Sequence, residues 1–314
     1  MDKLRIAILG STSHIAKGLI HNFLKIGESS LHLYTKSYDR LLNFLASIKK
    51  YPDSDCFIWN GYSNFADLSF DIIINCVGVG TPDKLDGKFY NWFAVTEEYD
   101  NLVLMHLCNN CPDAIYISLS SGAVYGRDFS APVNEDSVNR VRVNHVTSED
   151  YYGIARLNAE AKHRAFSELN IIDLRIFSYF SRFMDLTDSY FITEVLNSIL
   201  NDRTLITNSH NIVRDYLHPD DLFTAITKCI KAGKMNAAFD VNSASPVGKM
   251  EILDYFSREY GLKYEVSQGF GSASGTGVKN IYCSDNKKIF SVGYKPGFSS
   301  IEGIKHEAKY ILSR

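Results

Sequence analysis

Across its first half the chain alternates short apolar, β-rich runs with longer stretches of helical period. That alternation restricts the architecture to parallel strands joined by crossover helices, which cover both faces of one sheet. The spacing predicts strands over Arg5–Leu9, Leu31–Tyr34, Cys56–Trp59, Asp71–Cys76, Ala114–Leu119 and Ile171–Ile176. Uninterrupted apolar runs such as Ile72-Ile73-Ile74 suit strands buried on both faces. Helices are predicted over His14–Ile26, Tyr38–Lys49, Trp92–Asn109 and Asp150–Leu169. After Phe180 the pattern is less regular. Ser189–Leu200 reads as a helix, and so does Pro219–Lys231, with Pro at its first position, Asp220 and Asp221 in its first turn and Gly233 just past its end. Phe239–Val241 reads as one more strand, Lys249–Tyr260 as a helix, and the Gly/Ser-rich stretch Gln268–Gly277 as a mobile loop.

A chain of 314 residues is long enough for a nucleotide-binding domain with a smaller second lobe. With 45% hydrophobic and 22% charged residues it is neither disordered nor fibrous. A net charge of -3 without a long basic run argues against nucleic acid as a partner. The apolar run at the N-terminus is too short for a secretory signal and no segment is long enough to span a bilayer, so the expectation is a cytoplasmic protein without membrane insertion. The six cysteines are scattered. Cys108 and Cys111 form a C-x-x-C at the end of an apolar helical stretch, with no second Cys or His pair at zinc spacing; they read as half-buried thiols, and no metal is expected.

Two short stretches carry the chemistry: Ser118-Leu119-Ser120-Ser121-Gly122-Ala123-Val124-Tyr125-Gly126 and Tyr151-Tyr152-Gly153-Ile154-Ala155-Arg156-Leu157-Asn158-Ala159-Glu160. Together they resemble the catalytic serine and tyrosine segments of the extended short-chain dehydrogenase/reductase superfamily, whose members oxidise, reduce, epimerise or dehydrate nucleotide sugars. Val213-Arg214-Asp215-Tyr216-Leu217-His218-Pro219-Asp220-Asp221 matches the superfamily's Arg-Asp-(Tyr/Phe)-x-His-x-x-Asp segment, and Asp285-Asn286-Lys287-Lys288 with Val292-Gly293-Tyr294-Lys295-Pro296 is similar to its closing helix and loop. The resemblance implies an α/β, Rossmann-like doubly wound parallel sheet with a smaller C-terminal substrate-binding lobe. The NAD(P)-binding domain would comprise 1–176, with 212–245 returning to it, and the nucleotide-sugar-binding lobe 177–211 and 246–314. It also implies a homodimer packed through helices that include Tyr152, and a place in polysaccharide biosynthesis.

At the cofactor end, Gly10-Ser11-Thr12-Ser13-His14-Ile15-Ala16 lies where the first strand meets the first helix, the position at which a dinucleotide pyrophosphate rests on a helix N-terminus. The family pattern is Gly-x-x-Gly-x-x-Gly; Gly10 keeps it, and Ser13 and Ala16 stand at the other two places. Gly10, Ser13, His14 and Ile15 are thus candidates to hold cofactor. Cys76, Val77 and Gly78, at the end of the fourth strand, resemble the small-residue turn that lies against the adenosine and ribose. At the end of the second strand no acid stands where NAD-binding members place one, while Thr35, Lys36 and Arg40 suit a 2′-phosphate. This favours NADP, with NAD as the alternative.

At the catalytic end the resemblance makes Ser121, Tyr152 and Arg156 the working triad. Ser121 would hydrogen-bond the substrate oxygen and Tyr152 would be the acid/base. A phenol, with an ordinary pKa of about 10, needs fixed positive charge beside it to act as a base near neutrality. The family supplies that charge from Lys and the nicotinamide; here Arg156 stands one helical turn after Tyr152, and its planar guanidinium will not copy a lysine atom for atom. Arg214 would clamp a diphosphate, Tyr216 would pack near the nucleotide, and Tyr125 and Ser178 complete the substrate candidates. Asp215 and His218 read as structural, and Lys279 is a candidate for the arginine that often precedes the closing segment. Gly122-Ala123 replaces the Asp-Glu pair of family dehydratases, which argues against dehydration. The reading is therefore 4-keto reduction of a nucleotide-linked deoxysugar, with an NAD-retaining epimerase and, because Arg156 replaces Lys, a non-catalytic NAD(P)-binding sensor as alternatives.

Overall fold

The computed structural model describes residues 3–49, 57–267 and 279–313; Cys56 and the loop expected at 268–277 lie outside the described residues. Seven strands form the central sheet: β1 (Leu4–Leu9), β2 (Ser29–Tyr34), β3 (Phe57–Asn60), β4 (Ile72–Asn75), β5 (Ile115–Ser121), β6 (Asn170–Ile176) and β11 (Ala237–Val241). Their order is β11-β6-β5-β4-β1-β2-β3 and every neighbouring pair is parallel. This is a doubly wound sheet of the Rossmann type. The chain runs outward from β1 to β3, then crosses back to β4, so the order reverses between β1 and β4 and opens a crevice at their C-terminal ends.

The strands alternate their apolar side chains between two cores. Ile6, Ile8, Ile72 and Ile74 pack on one face with helices α1 (His14–Ile26), α2 (Tyr38–Ser47) and α6 (Pro219–Lys231). Ala7, Leu9, Ile73 and Tyr116 pack on the other with α3 (Asn91–Asn109). The helix ends follow local chemistry. Ser13 caps α1, its hydroxyl accepting from the Ala16 amide at 3.3 Å. Helix α4 (Ser148–Ala165) begins with the Asp150 carboxylate accepting from the Thr147 amide at 2.9 Å. At the start of α6, Pro219 needs no donor and His218 Nδ1 accepts from the Asp220 amide at 3.1 Å.

A third core joins α5 (Phe191–Leu200), α7 (Lys249–Tyr260) and α8 (Ser300–Leu312) through Val195, Leu196, Leu253, Phe256, Ile304 and Ala308. Short strands set the residues above the sheet. β7 (Ser178–Tyr179) runs parallel to β10 (Tyr216–Leu217), and β9 (Val213–Arg214) lies between β12 (Val247–Gly248) and β14 (Ile281–Tyr282). β8 (Leu205–Thr207) pairs with β13 (Tyr264–Val266). The C-terminal part is tied back at two points, one of them on the sheet. Ser284 Oγ donates to the Asp240 carboxylate of β11 at 2.5 Å, and Glu307 of α8 accepts from the Arg182 amide at 2.8 Å and its Nε at 2.9 Å. Among the described residues no helix is long and apolar enough to cross a membrane.

Candidate active site

The crevice widens into a cavity of about 1090 Å³, more than the 300–1,000 Å³ that ordinary small-molecule pockets occupy. Its floor is the turn after β1. Gly10 has φ +70°, and a β-carbon there would sit 3.0 Å from the Cys76 carbonyl and the Val77 amide, so this glycine is required by both conformation and space. Ser13, His14 and Ile15 line the wall beside it, and Cys76, Val77 and Gly78 line it from β4. Burial lowers the His14 pKa to about 3, so its ring is neutral; Nε2 lies 2.7 Å from Ser181 Oγ.

The three residues expected to face a 2′-phosphate part company. Arg40 lines the cavity. Thr35 is buried, its hydroxyl 3.3 Å from Thr12 Oγ1 and accepting from the Ser37 amide at 3.1 Å. Lys36 is exposed and turned to the outer face of α3, its Nζ 3.9 Å from Glu98 and 5.3 Å from the Tyr99 ring centre; its hydrogen bond to Tyr99 raises its pKa. Lys17, one turn beyond Ser13, lines the cavity in its place, and burial followed by the charge of Arg40 lowers its pKa.

Ser121 ends β5. Its Oγ accepts from the Ala123 amide at 3.2 Å and lies 3.0 Å from the Tyr282 hydroxyl. Burial pushes the Tyr282 phenol up, and the Ser121 contact opposes this. Tyr152 is half-buried on α4, its ring 5.9 Å from that of Trp92 and 5.4 Å from Arg156 Cζ. Arg156 reaches over β5, where Nη1 donates to the Leu119 carbonyl at 3.3 Å; its Nε is buried without a partner among the described residues.

Helix α4 is locked in rotation by buried charge. Glu160 accepts from Ser120 Oγ at 2.6 Å and from Arg175 Nη2 at 2.7 Å. His163 lies 2.6 Å from Asp100 and 2.8 Å from Asp173. Burial alone would lower its pKa, but the two carboxylates outweigh burial and raise it to about 9, so the ring is an imidazolium. Tyr125 belongs to this scaffold rather than to the cavity. Its hydroxyl donates to Asp240 at 2.9 Å and accepts from Arg175 Nη1 at 2.8 Å, and burial together with Asp240 raises its pKa to about 12. The turn over Gly122–Tyr125 aims it behind Ser121, which removes it from the expected substrate contacts.

At the far end Ser178 and Tyr216 line the cavity from the paired strands β7 and β10. Arg214 is buried, its Nη1 donating to the carbonyls of Val213 (2.9 Å) and Lys279 (2.6 Å). Lys279 Nζ lies over the rings of Tyr282 (4.2 Å) and Phe129 (4.8 Å), and burial followed by Arg214 lowers its pKa to about 7. Neither cation has a carboxylate partner among the described residues. Two ties join the loop after β4 to the segment leading into α5, both of which line the cavity: Lys84 to Asp188 at 2.6 Å, and the Tyr190 hydroxyl to the Gly80 carbonyl at 3.2 Å.

His218, His306 and Glu307 come within metal-ligating distance of one another. The Asp220 amide donates to His218 Nδ1, however, which leaves the His218 proton on Nε2, pointing at the other two. The group is a hydrogen-bonded tie between α8 and α6.

A doubly wound parallel sheet with a strand-to-helix turn at its switch point and a Tyr-x-x-x-cation helix beside a serine-ended strand defines a dinucleotide-binding α/β protein. Residues 6–242 match the NAD dependent epimerase/dehydratase family, and the chain belongs to it. No curated protein matches the sequence. Among solved structures the chain is similar to UDP-glucuronic acid 4-epimerase from Bacillus cereus in complex with UDP-glucuronic acid and NAD (17% identity, 99% of each chain covered, TM-score 0.76). It is similar to UDP-glucose 4-epimerase from Thermotoga maritima with UDP-glucose (14%, 99% of each chain, 0.78). The dTDP-glucose 4,6-dehydratase of Bacillus anthracis str. Ames in complex with NAD has the same fold (14%, 99% of this chain and 97% of that one, 0.76).

Proposed function

We propose that the protein is an NADP-dependent oxidoreductase that reduces a keto group, at C4, of a nucleotide-linked deoxysugar, with Tyr152 as its acid/base. The observation that carries this reading is continuity. One cavity is walled by the turn at Gly10, by Ser121, Tyr152 and Arg156, and by Arg214 and Lys279; a cofactor sensor would need only the first of these groups.

The residues fit the group they would hold. The N-terminus of α1 faces the cavity at the point where Gly10 permits close approach, which suits a pyrophosphate. Arg40 and Lys17 put two cations on the same wall, which supports NADP over NAD. A bound nicotinamide would supply the hydride. Ser121 would hold the substrate oxygen and Tyr152 would move its proton, with Arg156 supplying fixed positive charge beside the phenol. Arg214 and Lys279, cations among aromatic rings, would bind the diphosphate of the nucleotide sugar. The parts around the third core, 177–211 and 246–314, would form the sugar-nucleotide lobe over an NAD(P) domain of 1–176 and 212–245. Exposed Met105 on α3 and Leu157 on α4 support a homodimer packed through those helices.

A second reading, an epimerase that retains NAD, draws support from the ties of Lys84 to Asp188 and of Tyr190 to Gly80, which would hinder cofactor exchange. The deciding experiment identifies the nucleotide that copurifies, by absorbance and mass, then mixes the protein with nucleotide 4-keto-6-deoxysugars and follows the reduced nicotinamide band. Consumption of NADPH supports the reductase. Tightly held NAD without net consumption supports the epimerase, and silence with every sugar overturns both in favour of a sensor.

A further inference from the structure

Gly78 has no conformational reason to be glycine. It is absent from the glycines with positive φ, so its backbone would accept an L-residue. What a side chain there would meet is a single group: a β-carbon on residue 78 would lie 2.5 Å from Arg156 Nη2 and 3.7 Å from its Cζ, with no other described atom outside its chain neighbours within 4 Å. The guanidinium therefore occupies the space that a side chain at 78 would fill. Its other contacts are few. Nη1 donates to the Leu119 carbonyl at 3.3 Å and Nε has no partner among the described residues, so the tip is located by packing against residue 78 as much as by hydrogen bonds.

We infer that Gly78 is a positioning residue for Arg156: the missing side chain is the seat of the guanidinium, and an arginine at 156 is compatible with the site because residue 78 has no β-carbon. The inference rests on the reading of Arg156 as the cation of the site. A guanidinium is planar and wide where an ammonium is compact, so a β-carbon at 78 is expected to crowd arginine at 156 more than it would crowd lysine. The atom displaced by Gly78→Ala is the end of a long side chain. The fold is thus spared, while the charge beside Tyr152 moves by about 1 Å, a displacement large enough to matter at a reacting centre.

The test is a double-mutant cycle of wild type, Gly78→Ala, Arg156→Lys and the double variant, read by NADH and NADPH affinity from fluorescence and by crystal structures of the nucleotide-free proteins. Gly78→Ala is expected to weaken binding about tenfold in the wild-type background and by less than about twofold in the Arg156→Lys background, the non-additivity of coupled positions. Its thermal midpoint should fall by no more than about 2 °C. Equal losses in both backgrounds would show that the cofactor, not the guanidinium, needs the glycine. The crystal structure of Gly78→Ala separates the pairing from the cofactor reading. An Arg156 tip pulled off the Leu119 carbonyl supports the pairing even if neither nucleotide binds, whereas a tip left in place with the backbone at 78 shifted overturns it.

Discussion

A phenol beside a guanidinium is a different acid/base unit from a phenol beside an ammonium. Arginine keeps its charge across the pH range in which proteins fold, so Arg156 can steady a Tyr152 anion and cannot hand it a proton. Under the proposed reading Tyr152→Phe lowers kcat at least about 100-fold and leaves NADPH affinity within about twofold; single-turnover rates and equilibrium binding check both, and a kcat that stays high removes Tyr152 from the chemistry. Lys279 adds a pH dependence. Its pKa of about 7 in the free protein would rise when a diphosphate binds, so below pH 7 the ammonium is already present. Above pH 7 binding takes up a proton and affinity falls, by up to about tenfold per pH unit. Titration of UDP calorimetrically from pH 6 to 9 is expected to show this slope in wild type and a weaker, flatter profile in Lys279→Met; parallel profiles would exclude the role. The serine, tyrosine and arginine frames are legible in the sequence because each sits in a short run with fixed spacing. Tyr282 is not, since its contact with Ser121 spans 161 residues, and Tyr125 misleads because its closeness to Ser121 in the chain hides the turn that sends it to Asp240.

Helix boundaries are readable where caps announce them. α1, α6 and α7 begin and end as their sequences predict, bounded by Ser13 and Gly27, by His218-Pro219, and by Gly248 and Gly261. The resemblance gives Asp285–Lys288 with Val292–Pro296 as the closing helix and loop, and between these segments the chain makes a short 3-10 turn over Lys288–Val292. The long helix is α8, and its signals are present in the Ser299-x-x-Glu302 capping box and the apolar spacing of Ile304, Ala308 and Ile311. Helix α4 carries the clearest link between element and stability. His163 is raised from about 6.5 to about 9 on folding, so its contribution is complete below pH 6.5 and is lost as pH rises through 9. The thermal midpoint should therefore decline between pH 7 and 9.5, and a flat course over that range would mean that the ring is neutral. His163→Asn, which removes the cation that Asp100 and Asp173 share and leaves Lys162 on the first and Arg164 on the second, should cost about 2 kcal/mol by denaturant unfolding. On the acid side Glu307 behaves oppositely. Burial alone would raise it, but Arg182 and His218 hold it well below the usual carboxylate range, so its contribution is present above about pH 4.3 and is lost below that.

For the whole molecule, the ties of Lys84 to Asp188 and Tyr190 to Gly80 bear on exchange with solvent. Asp188→Asn is expected to speed NADH release about threefold, the size of a weak, partly exposed ion pair. Stopped-flow displacement measures it, and an unchanged rate would show that the nucleotide leaves by another route. The architecture follows from the alternation of strands and helices because a parallel sheet admits few alternatives. The small strands above it do not, since two- and three-residue pairings such as those of β9 with β12 and β14 leave no periodic trace. The C-terminal part also changes what the family match means. The family match covers residues 6–242, yet Tyr282 touches Ser121, Ser284 holds Asp240, and Glu307 grips Arg182. The end of that match is thus not a boundary of folding: the last part of the chain is threaded back into the matched part, and a graft made at 242 would part Ser121 from Tyr282 and leave the buried Asp240 without Ser284.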